Sequence, residues 1–248
     1  MDTSRRAATG EVASRNFAIA AGVLYLVTHV STVGSQILYV PVLNNASYIL
    51  GSGADTRVLA GALLEVILAL AVVGTAVALY PVVRRQNEGI AMGYVGLRTL
   101  EAGIIAVGVA PLLAVVTLRQ QSAVSAAADG TTLVTLGSAL VALNTWTAVI
   151  GQGLICGVNT VLLAYLLYRS SLVPRFIPTL GLIGGPLVFA YNTAALFGIE
   201  PPAWVGLAVI PIFAWELSLA LRLISKGINT SARAAERVGA EPSVQLAT

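Results

Sequence analysis

The chain has 248 residues, of which 57% are hydrophobic and only 10% are charged, with a mean hydropathy of +0.86 and a formal net charge of +3. A soluble globular protein is usually about one quarter charged, so this composition excludes an ordinary soluble fold and predicts a surface that faces the lipid bilayer. A single cysteine (Cys156) excludes an internal disulfide, and a single histidine (His29) excludes histidine-cluster metal sites. We therefore expect no metal and no cofactor. Because no basic stripe with interleaved aromatic residues occurs, we also expect no nucleic-acid partner.

Six apolar runs are long enough to cross about 30 Å of hydrocarbon as helices, which takes about 20 residues each. In chain order they are Phe17–Val40, Val58–Val83, Gly89–Leu118, a fourth run that starts between Leu133 and Ala142 and ends at Tyr168, Phe176–Phe197 and Ala203–Ile224. Helix is the expected state because every backbone N–H and C=O in lipid must be paired within its own segment. The first run is too long for a cleaved signal peptide and is taken as an uncleaved span. The sequence thus predicts an all-α polytopic membrane helix bundle of six transmembrane helices in three hairpins.

Polar, glycine-rich or proline-rich segments separate the runs, as is typical of turns and loops. The loop between the third and fourth runs is expected to span residues 120–132. We predict three regions: a cytoplasmic N-terminal segment at residues 1–16, the transmembrane domain at residues 17–225, and a flexible cytoplasmic tail at residues 226–248.

The basic residues are distributed unevenly between the two sides of this bundle. Of the 14 Lys and Arg residues, two (Arg57 and Arg119) lie in segments opposite the N-terminus and Arg98 lies within a span. The other eleven lie on the side of the N-terminus: Arg5, Arg6, Arg15, Arg84, Arg85, Arg169, Arg175, Arg222, Lys226, Arg233 and Arg237. Because cytoplasmic segments carry the excess of Lys and Arg, both termini are predicted to be cytoplasmic. Heavy use of Arg, Ala, Gly, Val and Leu favours a bacterial source, and hence the cytoplasmic membrane.

Two patterns of small residues predict close helix packing. Gly153 and Gly157 are four residues apart, as are Gly181 and Gly185. Small residues at this spacing allow neighbouring backbones to approach closely in membranes. The alternative is chance, since the chain has 24 glycines.

A set of polar residues inside the spans forms the candidate ligand site. A charge at the bilayer centre costs at least about 2.5–3.5 kcal/mol, so it is retained with partners or for a function. At about 1.5 Å per residue, Glu101 and His29 lie roughly 18 Å from the inner face and Glu65 roughly 10 Å from the outer face, in nearly one layer. The candidate ligand-binding residues are His29, Glu65, Arg98, Glu101, Gln152 and Asn159.

Arg98 and Glu101 are three residues apart on one helix and are expected to pair. If Glu65 reaches the same point, two carboxylates share one cation, and one of them is free to carry a proton or to bind a cationic headgroup. If the carboxylates point elsewhere, Arg98 is free to hold an anionic ligand. A third interpretation is a buried ion pair that only fixes helix packing. For Glu216, we expect a structural role at the interface or in a pair with Arg222.

Three functions remain open at this point. The first is binding or transport of a small molecule or lipid at the polar cluster. The second is an intramembrane lipid-modifying enzyme that uses a buried glutamate as acid and base. The third is a scaffold that recruits a cytoplasmic partner through the turn at residues 169–175 or the tail after Lys226. Assembly into a homo-oligomer is also left open.

Three segments resemble the bacterial membrane protein family called domain of unknown function 4386. They are the run Gly96-Leu-Arg-Thr-Leu-Glu-Ala102, the segment from Tyr165 through Pro174 and Arg175 to Gly181, and the segment from Trp215 through Lys226 and Gly227. The resemblance covers roughly residues 16–228. It implies a six-helix inner-membrane protein and no particular activity. The positions that match the family pattern are Arg98, Glu101, Tyr168, Arg169, Pro174, Arg175 and Glu216.

Overall fold

The computed structural model describes residues 2–51, 55–122, 129–199, 206–207 and 209–229, with side chains from Arg15 onward. The long helices are α1 (Asp2–Leu43), α2 (Asp55–Val83), α3 (Glu88–Ser122), α4 (Gly130–Ala148), α5 (Cys156–Ser170), α6 (Phe176–Leu196) and α7 (Ile210–Ser225). A π-helical segment, Val149–Ile155, joins α4 to α5 without a break, and a short 3-10 helix spans Tyr48–Leu50. The described part of the chain contains no strand, which confirms the all-α prediction.

Five helical runs are long and apolar enough to cross a membrane, so the chain is a multi-pass membrane protein. They are α1 from Arg15, α2, α3, the continuous run from α4 through α5, and α6. The helix α7 has 16 described residues. The predicted sixth span is Ala203–Ile224. Its residues 203–205 and 208 lie outside the described part. The proline-containing turn at residues 200–202 lies outside it as well.

The helices form a closed ring in chain order. Each long helical run packs against the next one along the chain, and α7 returns to pack against α1. One apolar cluster unites the α2–α3 turn, the α5–α6 turn and the end of α7, through residues such as Val83, Leu172 and Ile228. A second cluster, which includes Tyr39 and Leu112, lies at the opposite end of the ring. The chain therefore alternates between two ends of the ring.

Two helix boundaries differ from their predicted positions for local chemical reasons. The helix α1 continues past Pro41 to Leu43, beyond the predicted end at Val40. Proline has no N–H, so Pro41 cannot donate to the carbonyl of Ile37, four residues earlier. Arg57 donates to this carbonyl instead, from Nη2 at 3.5 Å. The helix α4 begins at Gly130, earlier than predicted, because the Asp129 carboxylate accepts hydrogen bonds from the first backbone N–H groups.

The predicted close helix contact is present between α5 and α6. A Cβ atom on Gly157 would lie 2.8 Å from the Gly185 carbonyl oxygen, and one on Gly185 would lie 2.7 Å from the Gly157 carbonyl oxygen. Only glycine allows the two backbones to approach this closely. Gly181 has a similar role, since its Cβ would lie 2.8 Å from the ring of Trp215 on α7.

Asn229 attaches the chain after α7 to the α5–α6 turn. Its backbone N–H donates to the Leu172 carbonyl at 2.8 Å, and its side-chain amide donates to the Ser171 carbonyl at 2.8 Å. Its Oδ1 atom accepts a 2.6 Å hydrogen bond from Arg222. The predicted flexible tail therefore starts with a fixed segment up to Asn229, and residues 230–248 lie outside the described part.

Candidate functional site

A cavity of about 590 Å³ lies inside the helix ring. The helices α1, α3, α6 and α7 and the π-helical segment line most of it, and α2 contributes Leu68. Its polar lining includes His29, Thr32, Gln36, Arg98, Gln152 and Glu216. Most of the remaining wall is apolar, so the cavity combines an apolar body with one charged patch.

Arg98 is the centre of the charged patch and is only 2% exposed. Its Nη1 atom donates to Oε2 of Glu101 at 3.0 Å, which confirms the predicted pair on α3. Its Nη2 atom lies 4.0 Å from Oε1 of Glu216 on α7. The guanidinium also lies over the ring of Tyr25 on α1, 5.4 Å from the centroid. Arg98 thus contacts groups from three helices and joins them at one point.

Glu101 lies behind Arg98 and is 3% exposed. Its Oε2 atom accepts a 2.6 Å hydrogen bond from the side-chain amide of Asn159 on α5, in addition to the one from Arg98. A buried carboxylate needs such donors to offset its lost hydration. Glu101 and Asn159 therefore form the supporting layer of the site, and Arg98 separates them from Glu216.

Glu216 and His29 form the more accessible part of the charged patch. The Oε2 atom of Glu216 lies 3.8 Å from Nε2 of His29, and their side chains are 17% and 10% exposed. The Nδ1 atom of His29 lies 2.9 Å from the Tyr25 carbonyl oxygen. The ring of Phe213 packs edge-on against the imidazole, with 4.6 Å between the centroids. Both polar groups are thus held at the cavity wall.

The second carboxylate beside Arg98 is Glu216, and Glu65 is not part of the cluster. Glu65 is buried at 3% exposure and accepts a 3.3 Å hydrogen bond from the Tyr39 hydroxyl on α1. The condition under which Glu65 would share the cation is therefore not met, because its side chain contacts Tyr39 on α1 and does not line the cavity. Of the two placements expected for Glu216, the pair with Arg222 is not formed, since Arg222 bonds to Asn229.

Glu216 on α7 lies at a depth that the sequence reveals. Glu216 precedes the predicted end of its span by eight residues, or roughly 12 Å. Arg98 follows the predicted start of its span by nine residues, or roughly 14 Å. The two residues therefore lie at nearly the same depth from the same face, which is a signal that sequence reasoning missed.

The π-helical segment places Gln152 in the cavity wall. It has the sequence Val-Ile-Gly-Gln-Gly-Leu-Ile, and Gly151 and Gly153 on either side of Gln152 are buried. A Cβ on Gly151 would lie 3.1 Å from the Ile104 side chain, so α3 packs closely against this segment. Such π-helical turns occur frequently at functional sites. No group of three or more potential His, Cys, Asp or Glu metal ligands occurs among the residues that the structure describes.

Comparison with known families gives one match. The family model described as "Domain of unknown function (DUF4386)" matches residues 20–227. No curated protein and no solved structure matches the chain. Of the positions that the resemblance singled out, Arg98, Glu101 and Glu216 come together in the charged patch, while Tyr168, Arg169, Pro174 and Arg175 lie at the α5–α6 turn.

Proposed function

Since the chain belongs to the domain of unknown function 4386 family, which carries no assigned activity, we propose a function from its cavity. The protein binds, within the membrane, a small molecule or lipid that contacts Arg98, Glu216 and His29, and it holds or transports that ligand. The observation that carries this proposal is a cavity of about 590 Å³ with a charged patch on one wall. Ligand pockets typically measure about 300–1,000 Å³ and combine apolar walls with a few polar groups.

Helix packing alone does not account for this arrangement. Arg98 and Asn159 both donate to the Glu101 carboxylate, through hydrogen bonds of 3.0 and 2.6 Å. Glu216 adds a further carboxylate, 4.0 Å from Arg98, which packing of this network does not require. An ionisable side chain within a membrane span usually marks a functional site, so Glu216 favours a ligand over a purely structural pair.

The two other functions have less support. A buried glutamate acting as acid and base in the cavity would have to be Glu216, since Glu101 is already held by two donors and Glu65 does not line the cavity. A lipid extract that is unchanged between a deletion strain and its parent would count against such an enzyme. For the scaffold, Arg169 and Arg175 stack on Tyr165 and Tyr168, so these arginines are engaged within the chain.

Native mass spectrometry in lipid nanodiscs tests the binding function. Ala148 lines the cavity, and Ala148→Phe fills part of it. Val158, 39% exposed on the outer surface of α5, provides the matched control Val158→Phe. We expect a co-purifying mass on the wild type and on Val158→Phe that is absent from Ala148→Phe. Identical spectra for three folded proteins would contradict the proposal. Thr145 also lines the cavity, so Thr145→Phe replaces Ala148→Phe in this test if Ala148→Phe does not fold.

We also propose that the protein resides in the bacterial cytoplasmic membrane with both termini in the cytoplasm. Of the 14 basic residues, eleven lie in segments on the side of the N-terminus, two lie in segments on the opposite side, and one lies within a span, which supports this orientation. Alkaline phosphatase fused within the loop after Leu43 should be active, and the same enzyme fused in the α2–α3 turn should be inactive. The reverse pattern would contradict the orientation.

A further inference from the structure

Two hydrogen-bond donors of the charged patch are held by Glu101 and are not available to a ligand. Arg98 donates from Nη1 to Glu101, and Asn159 donates to the same carboxylate. The Nε atom of Arg98 is buried without a partner among the described residues, and it presents no accessible surface to the cavity. An anionic ligand would therefore find little exposed positive charge and would meet the carboxylate of Glu216 instead.

Glu216 and His29 provide two acceptors at the cavity wall. Within the described part of the chain, the Glu216 carboxylate has no hydrogen bond; Nε2 of His29 lies 3.8 Å away and Nη2 of Arg98 lies 4.0 Å away. The Nδ1 atom of His29 must donate to the Tyr25 oxygen, since a carbonyl only accepts. In the neutral imidazole, Nε2 then presents a lone pair toward Glu216. Two acceptors thus face each other with no proton donor between them.

The charges of the patch also favour a cation. With both carboxylates ionised and His29 neutral, Glu101 and Glu216 contribute two negative charges and Arg98 one positive charge, so the patch is one charge negative. An uncompensated charge within the bilayer is costly. A bound ammonium group would neutralise the patch and donate to both free acceptors.

We propose that the ligand is an amphiphile with a primary or secondary ammonium head, which donates hydrogen bonds to Glu216 and His29 while its apolar body lies in the cavity. This inference rests on the proposed binding function and specifies its ligand class. The side chains of Ile212, Phe213 and Val188 provide the apolar wall beside the patch. A hydroxyl head would supply a single donor and no charge, and a carboxylate head would repel Glu216, so both should bind more weakly.

The test compares decylamine, decanol and decanoate, which share one apolar chain and differ in the head. Binding to the purified protein is followed through the ligand-dependent rise in Tm. We expect decylamine to bind about tenfold or more tightly than the other two. Glu216→Gln should weaken decylamine binding by about tenfold or more. The matched control is Glu65→Gln, which removes a buried carboxylate outside the cavity and should leave decylamine binding unchanged.

The other outcomes separate a failure of the ammonium assignment from a failure of the binding function. Decanoate binding as tightly as decylamine, or equal decylamine binding by Glu216→Gln, overturns the ammonium assignment. If decanol or decanoate binds to the wild type at least as tightly as decylamine and does not bind to Ala148→Phe, the cavity is a binding site and only the ligand class is wrong. If no probe binds and the nanodisc spectra show no cavity-dependent mass, the binding function fails as well. His29→Leu removes the second acceptor and provides the test if Glu216→Gln does not fold.

Discussion

The Nη1 atom of Arg98 lies 3.0 Å from Oε2 of Glu101, one turn further along α3, and both side chains are almost fully buried. Removing one member of a buried ion pair leaves an uncompensated charge, at a cost of about 3–5 kcal/mol. We expect Arg98→Met to lower the free energy of unfolding by about this amount. The double variant Arg98→Met/Glu101→Leu should be more stable than Arg98→Met, since it leaves no unpaired charge at position 101.

Chemical unfolding in mixed micelles, followed by tryptophan fluorescence, measures both effects. Arg57→Met is the control, because Arg57 is exposed and makes one long hydrogen bond of 3.5 Å. If the double variant is less stable than Arg98→Met, the network with Asn159 matters more than the pairing of charges.

The contact between Gly157 and Gly185 predicts a sharp dependence on one methyl group. Gly157→Ala would place Cβ at 2.8 Å from the Gly185 carbonyl oxygen, and backbone cannot move aside as a side chain does. Overpacking of this kind typically costs about 1–3 kcal/mol. The control is Gly103→Ala, where no atom lies within 4 Å of the new Cβ. Because alanine favours helix over glycine by about 1 kcal/mol, this variant should be neutral or more stable. Equal Tm values for Gly157→Ala and Gly103→Ala would contradict the close contact.

Tyr48 predicts a loss of stability at high pH. Its side chain is buried and donates a 3.1 Å hydrogen bond to Asp55, which also accepts from Arg119. Burial, followed by the hydrogen bond to Asp55, raises the pKa of Tyr48 to about 12 from an ordinary value of 10.0. A raised pKa in the folded state means that the unfolded chain ionises first. The stabilisation by Tyr48 is therefore complete below pH 10 and is lost as the pH rises toward about 12.

The comparison of wild type with Tyr48→Phe isolates this effect from other groups. The wild type should be the more stable protein at pH 8, and its advantage in Tm should shrink from pH 10 to pH 12. A constant difference across that range would show that the Tyr48 hydroxyl does not titrate as expected.

Sequence reasoning predicts the helices well because lipid imposes a simple length requirement on apolar runs. It also predicts the pair of Arg98 and Glu101, since residues three apart on a helix are neighbours. The same rule argues against Glu216 pairing with Arg222, which is six residues away and on a different face. Depth along a helix does not reveal the direction in which a side chain points. Glu65 therefore appeared to belong to the cluster, although it faces Tyr39.

The π-helical segment shows a different limit of prediction. Its sequence reads as ordinary transmembrane helix with glycines, and nothing in the periodicity marks the change in backbone hydrogen bonding. The segment packs closely against its neighbours, where Gly151 meets Ile104 on α3 and Gly153 meets Asn192 on α6. Such tertiary contacts are not contained in a local pattern.

Asn229 provides a test of how the end of α7 is held. Asn229→Ala removes the side-chain hydrogen bonds to the Ser171 carbonyl and from Arg222, at 2.8 and 2.6 Å. Because one of these bonds involves a charged donor, the loss should be about 2 kcal/mol. Thermal unfolding should show a clearly lower Tm, and protease sites near residue 226 should become more accessible. Asn45→Ala is the control, since Asn45 bonds only locally to Ser47 in an exposed loop. If both variants melt with the wild type, the segment after α7 is held by packing of Ile228 rather than by Asn229.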